Sequence, residues 1–220
     1  TAHAATSSIA PVGEPIPAIE PTDDTGRAVA ASADGSRIAV GSPMRREPPC
    51  ASASGLGRVR VFDWTSTGWT QVGPTIEGRR AQCERFGDSV ALSANGSRLA
   101  IGAHGGAAEE APKAFVEVFE LQGADWIRLG DKIAPATGPD DQGRIVALSA
   151  DGSRLAVGLK ELRSIVRLFD WDGTTWNQIG SDIVPGQTPV AAVALSTNGS
   201  RVVVGVPEMH IRCPRDEPCE

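Results

Sequence analysis

One hexapeptide recurs four times along the chain and limits what it can fold into more than any other feature. It reads SADGSR from Ser32 to Arg37, SANGSR from Ser93 to Arg98, SADGSR from Ser149 to Arg154 and STNGSR from Ser196 to Arg201. Recurrence at intervals of roughly fifty residues marks an array of similar small units, each unable to bury its apolar face alone. Every copy holds Asp-Gly or Asn-Gly between two apolar runs, so it reads as a two-residue hairpin turn whose positive φ angles these residues tolerate.

The unit around each copy is longer. Residues 86–93 (FGDSVALS) read as a first strand, a, and residues 97–102 (SRLAIG) as strand b. Residues 114–121 (AFVEVFEL) read as strand c, and residues 126–133 (WIRLGDKI) as strand d. Strand c alternates, with Val116 and Val118 on one face and Glu117 and Phe119 on the other. RVRVFDW (58–64) with WTQVGPTI (69–76), and IVRLFDW (165–171) with WNQIGSDI (176–183), repeat the c–d grammar. A four-stranded antiparallel sheet that is apolar on both faces needs a cover on each side, and radial stacking supplies both. The expected fold class is therefore all-β, a β-propeller of four-stranded antiparallel blades. The parts are a lone strand d at 11–17, blades at 27–78, 85–136 and 143–186, a partial blade at 190–207 and a tail at 208–220. Fifteen strands are expected, so the ring is expected to stay open, with edges that other residues or another chain must cover.

Phe86-Gly87, with Gly41-Ser42-Pro43, Gly102-Ala103-His104 and Gly205-Val206-Pro207 at the ends of strand b, gives the chain its resemblance to the FG-GAP family of β-propeller repeats, known from integrin α-subunit heads. The resemblance runs from Val12 to Pro207 and implies a propeller of a secreted or surface protein. Calcium-binding blades of that family carry a DxDxDG-like loop, and no such string occurs here. Asp34-Gly35 and Asp151-Gly152 belong to hairpin turns, so neither calcium nor any other metal or cofactor is expected.

Composition narrows the function. Of 220 residues 25 are Gly and 16 Pro, none is Tyr, and the formal charge is −6. Nucleic-acid binding leaves a clustered basic footprint, which this balance argues against. No apolar run reaches the roughly 18 residues of a membrane-spanning helix. The four cysteines, Cys50, Cys83, Cys213 and Cys219, form no CxxC pair, and His3, His104 and His210 are scattered. Disulfides are the expected use, Cys50 with Cys83 and Cys213 with Cys219 or with a cysteine elsewhere. They point to an extracellular, cell-surface or organelle-lumen protein.

No GxSxG or P-loop string is present, and the turn serines have no neighbouring His or Lys. The chain is therefore expected not to be an enzyme. The tryptophans Trp64, Trp69, Trp126, Trp171 and Trp176 recur at matching places in the repeat, which suits packing better than ligand stacking. What varies is the b–c and d–a connections: residues 43–57 with Arg45 and Arg46, then Arg79 and Arg80, then His104, Glu109 and Glu110, then Asp140 and Asp141. Variable loops on a rigid scaffold are where binding specificity usually sits. The expected function is a scaffold or interaction module that binds a protein partner in a larger complex through this face. The alternatives are a propeller lyase or glycoside hydrolase, and a carbohydrate-binding lectin-like propeller.

Three charge pairs follow from the register. Strand b starts and strand c ends at one edge of the sheet, so Arg37 is predicted beside Asp63, Arg98 beside Glu120 and Arg154 beside Asp170.

Overall fold

Each repeat closes into one antiparallel sheet, in the order the sequence grammar predicts. The computed structural model describes residues 13–21, 23–43, 56–78, 85–103, 114–133, 144–160, 164–186 and 190–207, and among them there is no helix. The first blade orders β1 (Ala28–Ala31), β2 (Arg37–Ser42), β3 (Arg58–Thr65) and β4 (Gly68–Gln71), with β5 (Ile76–Glu77) also pairing with β3. The second runs β6 (Phe86–Leu92), β7 (Arg98–Ala103), β8 (Phe115–Gln122) and β9 (Asp125–Arg128). The third runs β10 (Arg144–Leu148), β11 (Arg154–Lys160), β12 (Ser164–Trp171) and β13 (Trp176–Gly186). A two-stranded sheet follows, β14 (Ala192–Leu195) with β15 (Val202–Gly205).

The hexapeptide explains itself once its bonds are traced. The Ser32 N–H donates to the Arg37 carbonyl at 2.8 Å and the Gly35 N–H to the Ser32 carbonyl at 3.0 Å, so the loop holds four residues rather than two. Only its glycine is left-handed, with φ of +71° at Gly35 and +67°, +69° and +65° at Gly96, Gly152 and Gly199. The two-residue turn read from the sequence is thus corrected, because the Asp or Asn before the glycine serves as a cap and keeps an ordinary φ. The Asp34 Oδ1 accepts from the Ser32 hydroxyl at 2.7 Å and the Ser36 N–H at 3.0 Å, while the Ser32 Oγ accepts from the Arg37 N–H at 2.9 Å. Asn95 and Asn198 accept the same bonds through their amide oxygens, so either residue type serves.

Stacking between blades follows from the same turns. The Ala33 N–H donates to the Ala94 carbonyl at 2.8 Å, Ala94 to Ala150 at 2.8 Å and Ala150 to Thr197 at 2.9 Å, which links four successive turns in one backbone chain. The first strand of each blade lies against the first two strands of its neighbour, as radial stacking requires. Two apolar cores result. Ala39, Val59, Val61 and Ile76 of the first blade meet Phe86, Leu99, Ile101 and Phe119 of the second. Ala100, Val116, Val118 and Ile133 then meet Val146, Leu155, Val157 and Phe169 of the third. The Val, Leu, Ile and Phe side chains among them, when fully buried, each contribute roughly 1.5–3 kcal/mol.

Strand d departs from the sequence reading in two blades. In the first it splits into β4 and β5, and in the second it stops at Arg128, with one further bridge from Ile133 to Val116. The interruption falls at Gly73 and Gly130, left-handed at +72° and +77°, and the equivalent Gly180 sits inside β13 beside a register shift at +67°. Each break aims a carbonyl at the next blade. The Trp126 Nε1–H donates to the Val72 carbonyl at 3.1 Å and the Trp176 Nε1–H to the Leu129 carbonyl at 3.0 Å. Trp126 and Trp176 are therefore packing elements between blades, as the periodicity suggests, whereas Trp64 is 39% exposed.

Residues 13–17, where a lone strand d is expected, run as irregular chain along the first blade. Gly13 nevertheless meets Trp64 and Trp69 as Gly130 meets Trp171. The buried Arg60 donates to the Pro17 carbonyl at 2.7 Å and Arg58 to Glu20 at 3.2 Å, which holds this segment down. Asp23, 1% exposed, accepts from the N–H groups of Ile19, Glu20 and Thr25 and from the Thr25 hydroxyl. Burial pushes its carboxyl up, and these bonds outweigh that and hold it below the usual range.

Candidate interaction surfaces

At the turn rim the hexapeptide arginines of the three full blades are bonded within the repeat. Arg37 donates through Nε to Asp63 Oδ1 at 2.6 Å and through Nη2 to Oδ2 at 2.8 Å, and its Nη1 reaches the Gly96 carbonyl of the next blade at 3.0 Å. Arg98 joins Glu120 at 2.9 Å to the Gly152 carbonyl at 3.2 Å. Arg154 joins Asp170, at 2.6 and 2.7 Å, to the Gly199 carbonyl at 2.9 Å. All three register pairs expected from the sequence are present. Each pair also bridges two blades, which no pairwise reading of one sheet could show. The Asp170 hydrogen bonds hold the Arg154 guanidinium above its ordinary pKa and the same contact holds Asp170 below its own.

Every candidate binding residue read from the sequence lies outside the described residues: Arg45, Arg46, Arg79, Arg80, His104, Glu109, Glu110, Asp140 and Asp141. So do Cys50, Cys83, Cys213 and Cys219. The described strands show where their segments attach. Strands b and d end, and strands c and a begin, at the rim opposite the hexapeptide turns.

A furrow of about 470 Å³ between the second and third blades was not foreseen. It is lined by Asp131, Lys132, Arg167, Phe169, Trp176 and Gln178, among others. Arg167 forms a two-bond pair with Asp182 at 2.8 Å for each contact, and Gln178 adds a third bond to Asp182 at 2.8 Å. The Arg167 bonds hold the Asp182 carboxyl below its usual pKa. Lys132 stands 3.6 Å from the centre of the Phe115 ring and 3.7 Å from Glu117, which is 3% exposed and also accepts from Arg128 at 3.2 Å. The signal for this furrow was the strand-c position where the repeats reverse the sign of charge: Arg60, Glu117 and Arg167. Among the described residues no three His, Cys, Asp or Glu side chains cluster as a metal site. None of the described segments is a helix long and apolar enough to cross a membrane.

No family model and no curated protein sequence matches the chain. Solved structures do. A candidate 6-phosphogluconolactonase of Bacteroides fragilis aligns with a TM-score of 0.53 and 16% identity, over 77% of this chain and 41% of its own. Sqt1 of Saccharomyces cerevisiae aligns with a TM-score of 0.50 and 13% identity, over 80% of this chain and 39% of its own. The chain thus spans about two fifths of the length of these structures. At such identities the likeness is one of fold, and it agrees with the blades described above. The fold is that of an all-β propeller, with three complete blades and two strands of a further one among the described residues.

Two expectations change at this point. The propeller implied by the FG-GAP resemblance stands, while neither neighbour carries the likeness down to that family. The expectation that the chain is not an enzyme is corrected: a candidate lactonase is among the structures that share its architecture. The absence of a recognisable catalytic string does not exclude activity, because propeller sites are assembled from residues on separate blades.

Proposed function

We propose that the chain is an interaction module of a larger assembly, which binds a partner protein through the rim opposite its hexapeptide turns. The observation that carries this reading is the division of labour between the rims. At the turn rim the repeated Ser, Asp or Asn, and Arg groups of the three full blades bond to one another. The opposite rim receives connections of unequal length, at residues 43–57, 104–114 and 161–163. Arg45, Arg46, Arg79, Arg80, His104, Glu109, Glu110, Asp140 and Asp141 are the proposed contacts. A carbohydrate partner is the alternative occupant of the same rim. The FG-GAP family is the finer reading of the blade type.

Affinity isolation from the native source tests the proposal, with one bait in which residues 44–55 are replaced by a Gly/Ser linker and another carrying Asp34→Asn at the turn rim. A specific partner recovered with the parent and the Asp34→Asn bait, and lost with the linker bait, supports it. Equal recovery by all three, or by none, contradicts it. A second reading, hydrolysis of a sugar lactone, is favoured by the candidate lactonase among the structural neighbours. Turnover of a phosphorylated sugar lactone by the purified chain, above the spontaneous rate, would establish it.

We further propose an oxidising compartment for the protein, with Cys50 joined to Cys83 and Cys213 to Cys219 or to a cysteine elsewhere. Peptide mapping without reduction reads this directly, and four free thiols would remove it.

A further inference from the structure

The four turns differ at one atom, and the difference bears on chemical modification. The chain has three asparagines, Asn95, Asn177 and Asn198, and the two inside hexapeptides head the strings Asn95-Gly96-Ser97 and Asn198-Gly199-Ser200. Each is the N-x-S acceptor pattern of N-linked glycosylation. So short a pattern recurs by chance, and the geometry has to decide. Asn95 Oδ1 accepts from the Ser97 N–H at 3.0 Å and from the Ser93 and Ser97 hydroxyls at 2.8 Å each. Asn198 Oδ1 accepts from the Ser200 N–H at 3.1 Å and from the Ser196 and Ser200 hydroxyls at 2.9 and 2.7 Å. A backbone N–H can bond only to the oxygen of a side-chain amide, so in both turns the Nδ2 points away from the cap. Both residues are exposed, and neither Nδ2 donates to any group among the described residues. Asn177, which heads no such pattern, instead gives its Nδ2 to Asp172 at 2.7 Å.

This exposure belongs to the turn and not to the place of a unit in the array. Asp34, Asn95 and Asp151 hold the same position with a following turn stacked beside them, through Ala94, Ala150 and Thr197, and all three are exposed. The turn therefore projects its third residue from the rim while a neighbour is in place. In the Asp turns the second carboxylate oxygen accepts from the Ser36 or Ser153 hydroxyl, at 2.9 and 2.8 Å. An amide nitrogen cannot accept that bond, and in the Asn turns the serine hydroxyl goes to Oδ1 instead. The cap thus stands whichever atom occupies the outer position, so a substituent there leaves the turn intact.

We propose that Asn95 and Asn198 are N-glycosylation sites, each carrying an oligosaccharide on its outward Nδ2. In the transfer, Nδ2 forms a bond to the anomeric carbon of a sugar chain carried on a polyprenyl diphosphate. The nitrogen gives up one proton and the polyprenyl diphosphate leaves. The product is a secondary amide whose oxygen keeps all three capping bonds. This proposal rests on the oxidising compartment proposed above, because the transfer takes place in the lumen of the secretory pathway. Sugar chains on alternate turns cover the turn rim and leave the opposite rim to a partner.

Peptide mapping of the protein from its native source, unreduced, before and after peptide-N-glycosidase in oxygen-18 water, tests this. The peptides holding Asn95 and Asn198 are expected to carry hexosamine-containing oligosaccharides, and only the enzyme should convert both residues to labelled aspartate. Both peptides at their unmodified mass would overturn the proposal, as would aspartate formed without the enzyme, which marks spontaneous Asn-Gly deamidation. Unmodified asparagines beside paired cysteines would overturn the glycans and leave the compartment standing, whereas unmodified asparagines beside four free thiols would overturn both. A second arm secretes the 220-residue chain from a eukaryotic host and reads electrophoretic mobility. Asn95→Asp and Asn198→Asp should each remove one glycan step with the fold kept, because Asp34 and Asp151 already cap their turns. Asp34→Asn, which completes the acceptor pattern with Gly35 and Ser36, should add one step. Ser97→Thr should keep the glycan at Asn95 and Ser97→Ala should lose it. A mobility that none of these changes alters would overturn the proposal.

Discussion

Arg154 and Asp170 face each other across β11 and β12 as a two-bond pair, and the same guanidinium crosses to the Gly199 carbonyl of the following unit. One side chain therefore fixes the register within a blade and the spacing between blades. The Arg154 stem also lies against Gly199, where a Cβ would come 3.0 Å from its Cδ.

Arg154→Ala removes both links at once. The pair is partly exposed, at 28% and 39%, so its coulombic share is small and most of the loss is the crossing hydrogen bond and the stem packing. A destabilisation of about 1–3 kcal/mol is expected by denaturant unfolding. Arg154→Lys should recover less than half of it, because an ammonium cannot span the two-toothed contact and the carbonyl together.

The strand-d glycines offer a controlled comparison. A methyl group on Gly130 would stand 2.8 Å from the Trp171 ring in a left-handed backbone at +77°, whereas Gly180 at +67° faces open space. Gly180→Ala should cost on the order of 1 kcal/mol from backbone strain alone. Gly130→Ala should cost about 2–3 kcal/mol, since Trp171 must also move. Melting temperatures of the two variants, measured side by side, check the order.

Trp126→Phe keeps a ring in the interblade core and deletes the N–H that reaches Val72. The expected cost is about 1–2 kcal/mol, dominated by the half-buried carbonyl left without its donor. Thermal unfolding checks the magnitude.

Acid should act on the turns. Hydrogen bonds from Ser149, and from the Ser153 backbone and side chain, lower the Asp151 pKa from 3.8 to about 2, and Ser32 and Ser36 do the same for Asp34. A carboxyl depressed in the folded state stabilises it above the unfolded pKa, and that contribution is lost as pH falls through the folded value. Stability is therefore expected to be flat on this account above about pH 5 and to decline between pH 4 and 2. Asn95 and Asn198 already cap the equivalent turns. The double change Asp34→Asn and Asp151→Asn should therefore keep the fold and flatten that decline, as circular dichroism over this pH range would read.

Much of this architecture was legible because it is written in short-range patterns. The four hexapeptides located the a–b hairpins, alternation located strands b and c, and antiparallel geometry then placed Arg37, Arg98 and Arg154 against their acids. The breaks at Gly73 and Gly130 were not legible, because a left-handed glycine within an apolar strand looks like any other glycine until the neighbouring indole is in view. The link from Ala33 to Ala94, Ala150 and Thr197 escaped for a related reason: backbone groups of alanine carry no sequence signature. The candidate rim was read from unequal loop lengths and charges, which mark where chains vary but not which side chains converge. The Arg167–Asp182 furrow was missed because it joins strand residues of the third blade, Arg167 and Gln178, to Asp131 and Lys132 beyond the end of β9, residues that are far apart in the sequence.

The central claim is that the repeats stack radially through their turns, and scalar couplings across hydrogen bonds in isotopically labelled protein test it most directly. Correlations are expected from the Ala33 nitrogen to the Ala94 carbonyl carbon, from Ala94 to Ala150 and from Ala150 to Thr197, with all three amides slow to exchange. Absence of these correlations, with the three amides exchanging at free-peptide rates while the strand amides stay protected, would mean that the blades form but do not stack as described.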